Sequence, residues 1–332
     1  MNVLDRINSV AGSVEKWWNA ETEKSLIISI MGQTGVGKSS LINALFGTDL
    51  YVDPVRPGTL KPEVRSVKGK SGHNVKLYDL PGIGESQKAD EQYFGQYKQM
   101  LLESNVVIWA TLADTRSFTF DRDALDKALN TIDEQQRVTL MSKVIFVLTK
   151  VDLLNAAASS PWIFYHDEHE GIFATMDPLE KLIKRKEEYF HRAFIEPFKH
   201  LIRSQTYWSG RFAVRDPRIH YEKPIVNFKG FLSEEERDQL KRRYPRYRDV
   251  FDRLHDQYRV IPCSERFKYN LDFLMKVITD KLETHSAGQF GGFVVNSRMD
   301  KVPSSEARNR INIVFVDESS NHAFNGNGLH AK

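Results

Sequence analysis

The chain has 332 residues, a formal net charge of +3 and a single cysteine, Cys263. One cysteine excludes an internal disulfide and favours a reducing compartment. The sequence contains no apolar run of about 18 residues that could span a membrane, and no Cys/His spacing typical of zinc. We therefore expect a cytoplasmic protein, with peripheral membrane contact as the alternative.

Residues 1–22 form the first predicted element, an amphipathic helix. Its apolar side chains recur at helical spacing: Leu4, Ile7, Val10, Val14 and Trp17. The favoured interpretation is a helix packed on its own domain. Docking of Trp17 and Trp18 on a partner or a membrane is the alternative.

A phosphate-binding loop follows an apolar strand at residues 26–30. Residues 32–39 read G-Q-T-G-V-G-K-S, and an apolar helix begins directly after them. This strand–loop–helix context is what such a motif requires, because the glycines let backbone N–H groups turn inward around phosphates. The predicted nucleotide contacts of this loop are Gly32, Gly35, Val36, Gly37, Lys38, Ser39 and Ser40. Lys38 is expected to contact the β- and γ-phosphates, so the chain is predicted to bind a nucleoside triphosphate.

A magnesium site is predicted from three oxygen-bearing side chains. Asp79 ends an apolar strand and begins the sequence D-L-P-G, in which the Gly82 N–H is placed to meet the γ-phosphate. Ser39 supplies a hydroxyl ligand. Thr59, in the Pro- and Gly-containing segment 56–62, is predicted to complete the ligand shell. Lys38, Thr59 and Gly82 are therefore the predicted catalytic positions, and Ser39, Thr59 and Asp79 the metal ligands.

Guanine is the base that the later motifs favour. The apolar strand 144–148 leads into T-K-V-D at residues 149–152, and a second strand ends at Cys263 and Ser264. The Asp152 carboxylate can accept two hydrogen bonds from guanine N1 and N2, which adenine does not offer. Lys150 is expected to cover the base, Thr149 to hold the loops together, and Cys263 and Ser264 to present a backbone N–H to guanine O6. The predicted ligands are GTP and GDP with Mg²⁺.

Taken together, these motifs resemble the translation-factor-like class of P-loop GTPases, and within it the Era-like branch. The resemblance rests on G-Q-T-G-V-G-K-S-S from Gly32, R-P-G-T from Arg56, D-L-P-G-I-G from Asp79 and T-K-V-D from Thr149. This branch includes ribosome-binding and prophage-associated bacterial GTPases. The resemblance implies a doubly wound α/β domain with a mainly parallel sheet, and a switch driven by GTP hydrolysis.

The chain departs from the family pattern at two positions. Ile83 follows Gly82, where many regulatory GTPases carry a glutamine that orients the attacking water. Glu85 and Glu91 are candidate substitutes, although surface glutamates are usually only solvated. We therefore expect slow hydrolysis without a partner or a second copy. Thr149 replaces a commoner asparagine, and its shorter side chain is expected to hold the phosphate loop less firmly.

A basic, mainly helical insertion is predicted at residues 154–254. The 112 positions between Asp152 and Ser264 exceed the about 30 that one helix and one strand need. Helices are predicted over residues 178–205 and, with a capping box of Ser233 and Glu236, over 233–244. The nucleotide-binding domain then comprises residues 23–153 and 255–284, with its last helix over 267–282. Residues 285–332 are expected to be a mostly disordered tail, with a strand or docking peptide at 311–316.

The charge of the insertion suggests a partner. Residues 181–260 hold 20 Lys and Arg against 12 Asp and Glu, and residues 241–248 interleave cations with tyrosines. RNA or the ribosome is one predicted partner of this segment. The alternatives are a solvated helix face neutralised by the acidic run at 234–238, and a membrane or protein partner. A nucleotide-dependent homodimer, in a self-assembling scaffold like septin- and dynamin-type GTPases at a membrane or in defence, is the second hypothesis for the whole protein.

Overall fold

The computed structural model describes residues 26–46, 48, 50, 63–68, 74–80, 98–157, 164–167, 172–175, 177–286, 314–317 and 322–325. The predicted N-terminal helix at 1–22, the segment 56–62 with Thr59, and residues 82–91 lie outside these ranges. Most of the predicted tail lies outside them as well.

A six-stranded sheet forms the centre of the nucleotide-binding domain. Its strands are β1 (Leu26–Met31), β2 (Glu63–Lys68), β3 (Asn74–Asp79), β4 (Val106–Leu112), β5 (Val144–Thr149) and β11 (Ile261–Pro262). They lie in the order β11-β5-β4-β1-β3-β2. β2 pairs antiparallel with β3, and the other neighbours are parallel. The prediction of a doubly wound, mainly parallel α/β sheet is confirmed.

Helices cover both faces of this sheet. They are α1 (Lys38–Phe46), α2 (Thr119–Asn130), α3 (Glu134–Lys143) and α7 (Leu271–Ser286). β4 and β5 are almost wholly buried apolar runs, as expected for strands covered on both faces. α7 begins four residues later than the sequence predicted. Among the described residues, no helix combines the length and the apolar character needed to cross a membrane.

The first part of the insertion is a bent helix that packs against the central sheet. α4 (Asp177–Phe190) passes into a π-helical turn (His191–Ile195) and a 3₁₀ turn (Glu196–Leu201). Phe190 and Phe194 are fully buried and contact Phe146 of β5. The predicted helix is therefore present, but it ends at Leu201 because the next strand begins at Arg203.

The second part of the insertion contains a sheet that the sequence analysis did not predict. β8 (Arg203–Tyr207), β9 (Ile219–Glu222) and β10 (Ile225–Lys229) form an antiparallel sheet in the order β8-β10-β9. Helices α5 (Glu234–Arg243) and α6 (Arg248–Asp256) pack on it around Phe251 and other buried apolar side chains. α5 carries the predicted capping box, in which Ser233 Oγ accepts from the Glu236 N–H and the Glu236 carboxylate accepts from the Ser233 N–H.

Two short hairpins complete the described strands. β6 (Phe164–Asp167) pairs with β7 (Ile172–Thr175), and β12 (Val314–Asp317) pairs with β13 (His322–Asn325). β12 overlaps the strand that the sequence predicted at 311–316.

Buried polar contacts attach the insertion to the last helix. Asp280 of α7 accepts hydrogen bonds from Thr206 Oγ1 of β8 (2.6 Å) and from the amide of Gln257, and it lies 3.2 Å from Arg253 Nε of α6. The neighbouring Lys281 donates to the carbonyl of Ser142 in α3 at 2.6 Å. Because Thr206, Gln257, Asp280 and Lys281 are buried, these contacts fix the small sheet and α6 against the nucleotide-binding domain.

Candidate nucleotide-binding site

The phosphate loop lies between the end of β1 and the start of α1. Gly32 has φ +145° and Gly37 has φ +95°, values that side-chain-bearing residues rarely adopt. A Cβ on Gly32 would lie 2.0 Å from the carbonyl oxygen of Ala110. The loop passes so close to β4 that only glycine fits there, and helix α1 begins immediately afterwards with its N-terminus at the loop.

Lys38, Ser39 and Asp79 lie together at the start of α1. Lys38 is buried, and its Nζ donates to the carbonyl oxygens of Gly32 (3.3 Å) and Gln33 (3.1 Å). Ser39 Oγ donates to Asp79 Oδ2 at 2.5 Å. A hydroxyl and a carboxylate placed side by side are the hard oxygen donors that Mg²⁺ prefers, so these residues fit the predicted metal. The third predicted ligand, Thr59, lies outside the described residues.

Thr149 joins the phosphate loop to the end of β5. Its Oγ1 donates to the carbonyl of Val36 at 2.6 Å and to that of Thr111 at 3.2 Å. Both Thr149 and Val36 are buried. The threonine hydroxyl therefore links the two segments directly, and a hold weaker than that of the commoner asparagine stays a prediction.

The base end of the site is assembled from β5 and β11. Lys150 adopts φ +54°, and its Nζ donates to the Gly35 carbonyl at 3.0 Å, across the front of the phosphate loop. Asp152 Oδ1 accepts a hydrogen bond of 2.7 Å from Ser264 Oγ. The backbone N–H of Cys263 donates to Leu148, which pairs β11 with β5. The T-K-V-D segment and the end of β11 are thus adjacent, as the guanine hypothesis requires.

Cys263 and Ser264 differ in what they can offer a base. The Cys263 side chain is fully buried, burial raises the pKa of its thiol, and its N–H is engaged in the sheet. The Ser264 N–H lies 3.3 Å from the Tyr269 carbonyl, and its hydroxyl contacts Asp152. Both residues therefore shape this end of the site mainly through their internal hydrogen bonds.

Glu265 is a residue of this site that the sequence analysis missed. Its Oε1 would lie 3.4 Å from a Cβ on Gly37, so the carboxylate reaches the phosphate loop. Burial raises the pKa of Glu265, the negative charge of Asp152 raises it further, and Lys150 and Lys268 oppose the shift. Its Oε2 is buried without a hydrogen-bond partner among the described residues. Nothing in the sequence marked this glutamate, because Gly37, Lys150 and Asp152 come from segments more than 100 positions away.

Asp121, at the start of α2, is a second residue that the sequence analysis missed, and it contacts the phosphate loop through Gln33. Its Oδ2 accepts a 2.7 Å hydrogen bond from the Gln33 amide, and the side chain is buried at the start of α2. Burial raises the pKa of Asp121, and the Gln33 hydrogen bond opposes that effect. In the sequence, an acidic residue in the first turn of a helix looks like ordinary helix-dipole compensation.

The predicted switch residues are not all described. Gly82, Ile83, Glu85 and Glu91 lie outside the described residues, as Thr59 does. Within the described ranges, no group of three or more His, Cys, Asp or Glu side chains could hold a metal on its own. The part of the site that the structure does describe is the phosphate loop, the Ser39–Asp79 pair and the base end, all at the carboxyl edge of the parallel strands.

Comparison with known proteins agrees with this geometry. Residues 27–150 match the family model of the 50S ribosome-binding GTPases. This segment is a P-loop GTPase domain, a class that binds GTP and GDP with Mg²⁺ and hydrolyses GTP. The prediction of a P-loop GTPase with Era-like relatives is confirmed.

Similar proteins share only part of their length with this chain. An uncharacterized protein, YkfA, of Escherichia coli (strain K12) is 36% identical over 135 residues, which is 40% of this chain and 44% of YkfA. GTPase Era of Deinococcus deserti is 30% identical over 105 residues, 31% of this chain and 34% of Era. Among solved structures, an Era variant from Aquifex aeolicus bound to GDP and AlF₄⁻ has 18% identity and a TM-score of 0.41, with 82% of this chain and 60% of that chain covered. This chain thus matches less than half the length of these curated relatives.

Proposed function

We propose that this protein is a GTP-driven switch that hydrolyses GTP to GDP and phosphate. One observation carries the proposal: the Ser39–Asp79 pair and the Asp152–Ser264 pair lie at the same edge of the central sheet. The first pair suits the phosphate and metal end of a nucleotide, and the second suits a guanine base.

In this proposal, positioning and electrostatics do the catalytic work. Lys38, already buried at the loop, neutralises charge on the β- and γ-phosphates, and the backbone N–H groups of the phosphate loop, including those of Ser39 and Ser40, hold their oxygens. Ser39, Asp79 and Thr59 hold Mg²⁺, which when bound neutralises developing phosphate charge. The Gly82 N–H meets the γ-phosphate.

The group that orients the attacking water is the open part of the proposal. Ile83 has no hydrogen-bonding atom in its side chain, so Glu85, Glu91, a second copy or a partner must supply it. Thr34 and Gly35, at the front of the phosphate loop, are exposed, so another molecule can approach the phosphates from that side. We therefore propose slow turnover for the isolated protein.

The output of the switch is proposed to be contact with RNA or the ribosome through the insertion at residues 154–254. The match of residues 27–150 to ribosome-binding GTPases and the excess of cations in the insertion support this proposal. We also propose that residues 23–153 and 255–284 form the nucleotide-binding domain, and that the protein is cytoplasmic. A self-assembling GTPase that forms a nucleotide-dependent homodimer is the alternative, since the loop front is open to a second copy.

Turnover of GTP per molecule, measured against protein concentration, tests both readings. Lys38→Ala is expected to abolish detectable GTP binding, whereas Lys127→Ala, at an exposed position of α2, should bind and hydrolyse GTP normally. Normal GTP affinity of Lys38→Ala would refute the phosphate-loop assignment. A rate per molecule that rises with concentration favours the homodimer, and a flat, slow rate favours a catalytic group supplied by another partner.

A further inference from the structure

The acidic residues around α5 and α6 are neutralised by a specific set of cations. Asp216 pairs with Arg218 at 3.2 Å, and Glu236 pairs with the same arginine. Asp252 and Asp238 pair with Lys241 and Arg237. These acidic residues are therefore paired with Arg218, Lys241 and Arg237, and the exposed Arg243 and Arg246 take part in none of these pairs.

Two exposed arginines of the loop 208–218, Arg211 and Arg215, lie beside two of the α5–α6 junction, Arg243 and Arg246, and we call these four the arginine corner. Arg242 and Arg248 are exposed at the same junction. Among the described residues, none of the four has a carboxylate within ion-pair distance. The hydrogen bond from Arg218 is the main cause of the lowered pKa of Asp216, and the positive charge of Arg243 makes the smallest contribution.

Two tyrosines bring these arginines together from separate segments. The Tyr247 hydroxyl accepts from the Ala213 N–H at 3.2 Å and donates to the Arg211 carbonyl at 3.3 Å. The Tyr244 hydroxyl contacts the backbone N–H and carbonyl of Arg215 in the same way, at 3.2 and 3.3 Å. The loop 208–218 is thereby fixed against the corner.

The same two rings carry the other two arginines. The guanidinium of Arg243 lies 5.4 Å from the ring centre of Tyr244, and that of Arg246 lies 6.0 Å from that of Tyr247. Each tyrosine thus has an arginine of the loop at its hydroxyl end and an arginine of the corner over its face. Cation–π contact holds the guanidinium groups of Arg243 and Arg246 at these rings, and the tyrosine hydroxyls hold the backbone of Arg211 and Arg215 beside them.

We propose that the arginine corner is an RNA-binding surface that recognises phosphates rather than bases. Arginine presents planar pairs of N–H donors that match phosphate oxygens. Tyr247 is buried against Phe212 and Trp208, so its ring is not available to stack on a base. The half-buried ring of Tyr244 packs on Phe251 and is already occupied by the Arg243 guanidinium. The surface should therefore bind RNA with little sequence preference and with a strong dependence on salt.

An anionic membrane fits this surface less well. The large apolar side chains that are exposed among the described residues are Val64, Phe120, Leu153 and Tyr189. None belongs to the loop 208–218 or to the α5–α6 corner, so no apolar group accompanies the arginines into a bilayer. The inference rests on the proposed function for its choice of RNA as the partner, and its residues lie outside the nucleotide site.

Binding of the full-length protein to a labelled single-stranded RNA homopolymer, titrated at several KCl concentrations, tests the proposal. Four phosphate contacts predict a slope of log K against log salt of about −3. The double variant Arg243→Gln/Arg246→Gln should roughly halve that slope and weaken binding at least about tenfold at low salt. The control Lys184→Gln/Arg185→Gln removes the same charge from an exposed part of α4 and should bind as the wild type does.

Thermal unfolding and GTP turnover are measured on every variant. Unchanged turnover and melting in Arg243→Gln/Arg246→Gln, together with weaker RNA binding, support the proposal. Equal loss of affinity in the control variant, or RNA binding unaffected by the corner variant, would overturn it. Binding to phosphatidylserine vesicles but not to RNA would also overturn it. Absence of GTP turnover in the wild type refutes the proposed switch while leaving the RNA measurement intact.

Discussion

Ser264 Oγ donates a 2.7 Å hydrogen bond to Asp152 Oδ1, across 112 positions of sequence. The contact ties the end of β11 to the T-K-V-D segment that follows β5. Each carboxylate oxygen can accept two hydrogen bonds, so Asp152 Oδ1 and Oδ2 can both still accept from a ligand. Since β11 pairs with β5 through the Cys263 N–H, the two halves of the proposed base site have a fixed relative position.

Asp152→Asn should reverse base preference, because the amide can donate to a xanthine carbonyl but no longer accepts two hydrogen bonds from guanine. Ser264→Ala should keep the preference for GTP and weaken its affinity by about fivefold, since only one orienting hydrogen bond of about 1 kcal/mol is lost. Competition of XTP with GTP for each variant provides the measurement. An Asp152→Asn protein that still favours GTP over XTP would contradict the assignment.

Thr149→Val should lower both stability and nucleotide affinity. The substitution keeps the shape of the side chain but removes the hydroxyl that donates to the buried carbonyls of Val36 and Thr111. Losing a buried hydrogen bond of this kind costs about 1–3 kcal/mol. Urea unfolding and GDP titration measure the two effects, and Thr139→Val, at an exposed position of α3, is the control. Unaltered affinity for GDP would mean that this hydroxyl does not hold the phosphate loop in place.

Glu265→Gln should bind GDP several-fold more tightly than the wild type. The change removes a negative charge that lies beside Asp152 and the phosphate loop while keeping the size of the side chain. A tenfold change in affinity corresponds to about 1.4 kcal/mol, so removing one partly screened charge repulsion is enough to produce a several-fold change. Calorimetric titration with GDP measures the change. Weaker binding by Glu265→Gln would show instead that the carboxylate contacts the nucleotide or positions Lys150.

Lys281→Met should flatten the pH dependence of stability above neutrality. Burial lowers the pKa of Lys281 to about 7, from an ordinary value of 10.5. Between these two values the unfolded chain holds a proton that the folded chain lacks, so the stability of the wild type rises with pH by up to about 1.4 kcal/mol per unit. Below the lower value Lys281 is charged in both states, so the full cost of burying its ammonium group is present.

The measurement is the free energy of unfolding at pH values from 7 to 8.5, compared between the two proteins. The difference between them cancels the other titrating groups, including Tyr258 and Cys263, whose pKa values burial raises. Parallel curves for wild type and Lys281→Met would show that Lys281 keeps its charge in the folded protein.

Local sequence determined the phosphate-binding part of the site. β1, the phosphate loop and α1 are contiguous, so apolar runs, glycine positions and the order of Lys38 and Ser39 specify the local geometry. The capping box of Ser233 and Glu236 was equally readable, because its two hydrogen bonds join residues three positions apart. Local patterns of this kind act through near neighbours and need no knowledge of the rest of the chain.

Tertiary structure alone decided the small sheet, the place of Glu265 and the arginine corner. The buried positions of β8 are Ser204 and Thr206, whose hydroxyls bond to Gly230 and Asp280. The strand therefore lacks the alternation of apolar and polar residues from which a strand is predicted. Glu265 meets Gly37, and Tyr247 meets Arg211, through contacts between distant segments. Such partners are chosen by how the elements pack around a common core, which residue order by itself does not specify.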